Sequence, residues 1–264
     1  REQFGYSNIM YLAAGLVIEE ASGKSWDEFM YWRFFKPLEM GRTITTTYDL
    51  DHFEDVAAPH NSVDSGIIAI EYLNWDNLAP AGGIISCVKD VKNWLTLQLN
   101  HGIFDGDTIF SHDVQKEMWT QHTPLSVSDD SRKMFPSTHF KSYGLGWSLF
   151  DYKGRKIVTH NGGYDGMISQ TVIIPEENSA FVILTNSISG IYQPMMYTTL
   201  DFLLGKKSKD WNSMALKRYE QYEKHKEKQH AKKDAVRVQK TSPSLSLEAY
   251  AGTYSGELYG PVKV

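Results

Sequence analysis

RKIVTHNGGYDGMISQTVIIPEENSAFVILTN, residues 155–186, contains three apolar runs parted by turn residues. RKIVTH, MISQTVIIP and AFVILTN are rich in β-branched and aromatic side chains, which fit a pleated sheet. Pro175-Glu176-Glu177-Asn178 separates the last two, and those residue types favour turns. Just upstream, YGLGWSLF (143–150) adds a further run, set off by Lys153-Gly154. The spacing predicts an antiparallel β meander. Inside it, between two of the runs, stands His160-Asn161-Gly162-Gly163.

The rest of the chain is helical or irregular in pattern. From Asn8 to about Ser22 a helix is expected, because Ile9, Leu12, Ala13, Leu16 and Val17 recur at helical spacing and Gly23 stops them. Ser25-Trp26-Asp27-Glu28 spells a capping box, opening a second helix that must end before Pro37. Residues 42–77 look irregular, rich in Thr, Asp and Asn. LAPAGGIISCVKDVKNWLTLQLNHG (78–102) pairs a glycine-rich tight passage with a helical stripe of Val88, Val91, Leu95 and Leu99, and Ser86 is placed to cap it. Another helix is expected at about 191–204. Helices first and a meander later, without β-α alternation, predict an α+β fold with an antiparallel sheet flanked by helices.

A chain of 264 residues with 41% hydrophobic side chains can bury a sizeable core. Cys87 is the one cysteine, so no internal disulfide can form. No apolar run is long enough to span a bilayer. The net charge of −5 hides a split: residues 205–240 carry 12 Lys and Arg against 5 Asp and Glu. The tract is short and its acids are interspersed, so it reads as a solvated helical linker, with Trp211, Ala215, Tyr219 and Tyr222 on one face, and not as a nucleic-acid binder. No His pair at i,i+4, His-Glu-x-x-His pattern or phosphate-cradling glycine loop is present, so no metal or cofactor is expected.

GYSN at 5–8, LAPAGG at 78–83 and HNGG at 160–163, in this order and context, resemble the serine β-lactamase and penicillin-binding hydrolase family, nearest its class C and D-peptidase/esterase branch. The resemblance covers roughly residues 1–204. It implies acyl transfer to a serine, which attacks the substrate carbonyl to form an acyl-enzyme that water then hydrolyses. Carried onto this chain, it makes Tyr6 the proton relay, Asn8 a group that binds the substrate amide or positions the motif lysine, and His160 a group facing the reaction centre. Asn8 also reads as a helix cap. Gly162 and Gly163 lie where a substrate backbone must come close, and the Gly163 N–H becomes an oxyanion donor. A free phenol has a pKa near 10, so Tyr6 needs cationic neighbours to act as a base. A lysine in place of the histidine would be a permanent cation, whereas an ordinary imidazole is mostly neutral at pH 7. That points to an esterase or D-amino-acid peptidase more than to an efficient β-lactamase.

In the family a Ser-x-x-Lys motif supplies the nucleophile and precedes the Tyr-x-Asn motif. The one Ser-x-x-Lys here, Ser86-Cys87-Val88-Lys89, follows it, and capping accounts for Ser86. The expectation is therefore a C-terminal portion of a longer hydrolase, incomplete at its N-terminus and inactive alone. Its substrate would be a small or peptide-like molecule, and the absent N-terminal segment would complete it. The alternative is a non-catalytic, penicillin-binding-like binding or regulatory protein. The resemblance further implies three parts: the hydrolase-like domain over 1–204, a charged helical linker over 205–244, and the start of a lipocalin-like β domain over 245–264. It also implies a periplasmic or extracellular location.

Overall fold

The computed structural model describes residues 4–63 and 66–264. The first helix, α1 (Asn8–Ser22), ends where Gly23 takes a left-handed conformation (φ 66°) and returns its N–H to the Glu19 carbonyl. Gly23 has no Cβ to oppose that turn. Helix α2 (Trp26–Met30) begins with the expected capping box of Ser25 and Glu28 and continues as a wider turn through Tyr31–Phe35. A hairpin of β1 (His60–Val63) and β2 (Gly66–Ala69) follows. The glycine-rich passage proves to be a short helical turn, α3 (Ala79–Gly82). Next come α4 (Val88–Leu99), the small hairpin β3 (Ile103–Phe104) and β4 (Asp107–Thr108), α5 (His112–Met118), β5 (Thr123–Leu125) and α6 (Asp129–Met134).

The meander then forms: β6 (Lys141–Tyr143), β7 (Ser148–Tyr152), β8 (Arg155–Tyr164), β9 (Met167–Ile174) and β10 (Ser179–Thr185). With β5 they make a six-stranded antiparallel sheet in the order β10-β9-β8-β7-β6-β5. Helices α7 (Tyr192–Leu203) and α8 (Trp211–Val236), then the hairpin of β11 (Thr253–Gly256) and β12 (Gly260–Lys263), complete the chain. No described helix is long and apolar enough to cross a membrane.

The apolar runs are unbroken because the sheet is buried on both faces. Side chains alternate with the pleat. Ile157, Val172, Ile174 and Ile183 pack with Met196 and Leu200 of α7 and with Trp211. Val158, Ile173 and Leu149 turn the other way, onto Leu95 of α4, Trp119 and Trp147. A third cluster joins Phe35, Leu38 and Met40 to Leu97 and Ile109.

Helix α1 is held differently. Gly15 is its buried residue, and a Cβ there would lie 2.4 Å from Pro80 Cγ. The helix thus seats its backbone on the α3 turn, while Ile9, Leu16 and Val17 of its apolar stripe stay 72%, 66% and 66% exposed.

The chain divides into two compact units, Arg1–Ala215 and Leu216–Val264. In the first, buried Asp201 accepts hydrogen bonds from Tyr152 Oη (2.7 Å), Trp211 Nε1 (2.8 Å) and Lys153 Nζ (2.5 Å). In the second, the rest of α8 is exposed almost throughout and the β11–β12 hairpin stands beyond it.

Candidate functional site

Two local features set the stage. The chain enters α1 through Ser7, which is the cap, so Asn8 is the first helical residue and does not cap. This corrects the capping reading of Asn8: the extended residue at the helix entrance is Ser7, one position earlier. Across the sheet, β7 stops pairing with β8 at the Ser148–Thr159 pair. Among the described residues, 160–164 therefore pair with β9 alone, and their other backbone edge has no strand partner there.

Both features line one cleft of about 1220 Å³ in the first unit. Tyr6, Asn8, His160, Gly162 and Gly163 are all on its wall. The Tyr6 and His160 ring centroids are 6.3 Å apart with planes at 77°. A Cβ on Gly162 would sit 2.6 Å from Ser169 Oγ, whereas one on Gly163 would meet no atom within 4 Å. A side chain at 162 would require the Ser169 hydroxyl to turn away, whereas one at 163 would enter open space.

The ring cluster is larger than the motifs indicate. Tyr143, at the end of β6, stands edge-on to both Tyr6 (6.1 Å, 87°) and His160 (6.1 Å, 82°). Its hydroxyl is 2.7 Å from that of Tyr11, and Tyr11 in turn contacts the Tyr6 ring at 5.8 Å. Such tilted and edge-on pairs suit the ring quadrupoles. Burial, then the Tyr11 hydrogen bond, pushes the Tyr143 phenol far above its ordinary range. Burial and then Tyr11 also raise Tyr6, so Tyr6 is a protonated phenol at neutral pH. Arg42 lines the same cleft, but its guanidinium donates to the Glu54 carbonyl at 2.6 Å.

His160 Nδ1 lies 2.5 Å from the Gly146 carbonyl oxygen. A carbonyl brings no proton, so Nδ1 carries it; the tautomer is assigned from this partner. Nε2 is the nitrogen left for a ligand. The sequence motifs did not mark Tyr11, Tyr143 or the Gly146 carbonyl. The one available signal was the paired glycines of YGLGW, which announce a turn.

Ser86 overturns a second capping reading. The residue before α4 is Cys87, and it makes no side-chain capping hydrogen bond. The Ser86 hydroxyl instead lies 2.8 Å from Thr43 Oγ1, on the wall of the same cleft. Lys89 is exposed. The Ser86 hydroxyl has a tertiary partner in place of a helix N–H group.

A family model described as Beta-lactamase matches residues 1–191. Among curated relatives, Unguisins hydrolase ungD' of Aspergillus campestris is 27% identical, aligning 96% of this chain with 48% of its own length. Protein flp of Staphylococcus aureus (strain MW2) is 26% identical over 76% of this chain and 36% of its own. The chain thus spans about half, or less, of the length of these relatives. Among solved structures, the octameric penicillin-binding protein homologue from Pyrococcus abyssi superposes with a TM-score of 0.67 at 23% identity, covering 78% of this chain and 44% of that one. D-amino acid amidase from Ochrobactrum anthropi SV3 gives 0.53 at 20%, over 82% and 59%. At these identities the structures speak for the fold: a β-lactamase/transpeptidase-like arrangement with an antiparallel sheet flanked by helices.

Proposed function

The chain belongs to the beta-lactamase family, and from that premise we propose that its cleft is the carbonyl-binding part of a serine hydrolase working through an acyl-enzyme. The observation that carries this reading is the meeting of the Tyr6 and His160 rings at 6.3 Å in one cleft. Tyr6 relays the proton between nucleophile and leaving group. Asn8 holds the substrate amide, and His160 presents Nε2 to Tyr6 or to the substrate. The unpaired edge of residues 160–164 takes the substrate backbone, with the Gly163 N–H donating to the developing oxyanion. The named activities of an unguisins hydrolase and a D-amino acid amidase favour amide and D-configured substrates.

The nucleophile in this reading comes from a Ser-x-x-Lys segment outside these 264 residues. Two findings support that. Tyr6 is raised where a relay base needs to be lowered, and the motif lysine would supply the missing field. The exposed apolar side chains Ile9, Leu16 and Val17 of α1 offer a face for such a segment to cover. Residues 205–244 then act as a linker to the start of a lipocalin-like β domain at 245–264.

The test is turnover of D-phenylalanine amide, p-nitrophenyl acetate and nitrocefin by this chain alone, and by the chain joined to the segment encoded upstream. The chain alone is expected to be inactive, and the joined protein active in a manner lost in Tyr6→Phe and His160→Ala. Turnover by the chain alone that Ser86→Ala abolishes would overturn the assignment of the nucleophile. An inactive joined protein carrying an intact Ser-x-x-Lys would overturn the hydrolase reading.

A further inference from the structure

Two hydroxyls and one carboxylate run in line from the cleft wall into the protein. Asp90 is 2% exposed and Thr43 5%. Asp90 Oδ2 accepts the Arg42 backbone N–H at 2.7 Å and the Thr43 hydroxyl proton at 2.8 Å. Thr43 Oγ1 is also 2.8 Å from Ser86 Oγ.

Proton accounting gives this chain a direction. A hydroxyl has one proton and two lone pairs, and an ionised carboxylate only accepts. Asp90 takes the single Thr43 proton, so Ser86 is the donor in its contact with Thr43. Ser86 Oγ is left with lone pairs and no proton for any other partner, and Ser86 lines the cleft.

We infer that Ser86 is a substrate-contacting residue that accepts a hydrogen bond from an N–H group, its own proton being turned inward along the Ser86–Thr43–Asp90 chain. This rests on the hydrolase reading and deepens it: the cleft selects amides over esters. An ester oxygen brings a lone pair where Ser86 already presents one. The same geometry removes Ser86 as a nucleophile, because its proton faces a threonine, which is no base, and the motif's lysine points to solvent.

The experiment is an NMR titration of the 264-residue chain with two probes, N-acetyl-D-phenylalanine amide and its methyl ester. The expected result is that the parent chain binds the amide about fivefold more tightly, the ratio one net hydrogen bond supplies. Ser86→Ala brings the ratio near one by weakening the amide alone. Thr43→Val frees the Ser86 proton to turn outward and shifts the ratio toward the ester. A thermal melt accompanies each variant, and half-buried Ser86 makes Ser86→Ala the decisive one. An unchanged ratio in Ser86→Ala, an equal loss for both probes, or no binding of either by the parent would overturn the inference. Failure of the hydrolase reading shows in the turnover assay; failure of this inference shows in the binding ratio.

Discussion

His160 donates its Nδ1 proton to the carbonyl oxygen of Gly146 across 2.5 Å. The donor is on the strand carrying the histidine-glycine motif, and the acceptor is in the turn that follows Tyr143. One hairpin therefore sets both the tautomer of the imidazole and, through Tyr143, the position of the phenol beside it.

The neutral ring of His160 is expected to carry its proton on Nδ1 with Nε2 bare. Long-range 15N–1H correlation spectra, read at a pH where this ring is neutral, check it. A spectrum showing Nε2 protonated would contradict the hydrogen bond and the ligand-facing role of Nε2.

Tyr6 is expected to ionise above the ordinary phenol range, because burial and the neighbouring Tyr11 both disfavour the phenolate. The difference between ultraviolet pH titrations of the parent and Tyr6→Phe isolates its step, which should lie above pH 10. A step below that value would mean that a cation already acts on Tyr6 within this chain.

The Tyr11–Tyr143 hydroxyl pair should contribute about 1 kcal/mol of coupling. A double-mutant cycle with Tyr11→Phe and Tyr143→Phe in urea measures it. Zero coupling would leave ring contacts alone to hold the cluster.

Asp201 should make the first unit sensitive to acid. Burial by itself raises a carboxyl pKa, but the hydrogen bonds from Lys153, Trp211 and Tyr152 outweigh it and the net shift is downward. The stability gained from that shift is complete above the unfolded carboxylate pKa, near 3.9, and is lost as pH falls through the lower folded value. Asp201→Asn is expected to lose roughly 3 kcal/mol at pH 7 and to show a flatter decline below pH 4 than the parent. Urea melts across pH 7 to 2 check both, and parallel curves for the two proteins would refute it.

Two glycines should separate folding from binding. Gly15→Ala puts a methyl against Pro80 and is expected to cost about 1–3 kcal/mol. Gly163→Ala meets no atom within 4 Å and should melt like the parent while weakening ligand binding in the cleft. Equal melting temperatures for parent and Gly15→Ala would undo the account of how α1 is seated.

The sequence alone determined what depends on neighbours in the chain. Apolar residues in short runs between turn residues marked the strands, and Gly23 marked the end of α1, because strand propensity, turn chemistry and left-handed backbone are local properties. The order of the three short motifs was enough to identify the family. What only the tertiary structure decided is where each polar group finds its partner. Ser86 and Asn8 both looked like caps, yet Ser86 bonds to Thr43 and the cap of α1 falls on Ser7. Tyr143 and the Gly146 carbonyl carried no motif, and they join the site because β6 and β7 fold back beside β8. A hydrogen bond goes to whichever acceptor the packed chain brings within reach, and for these side chains the partner lies far along the sequence or depends on exactly which residue leaves the helix, which spacing alone does not encode.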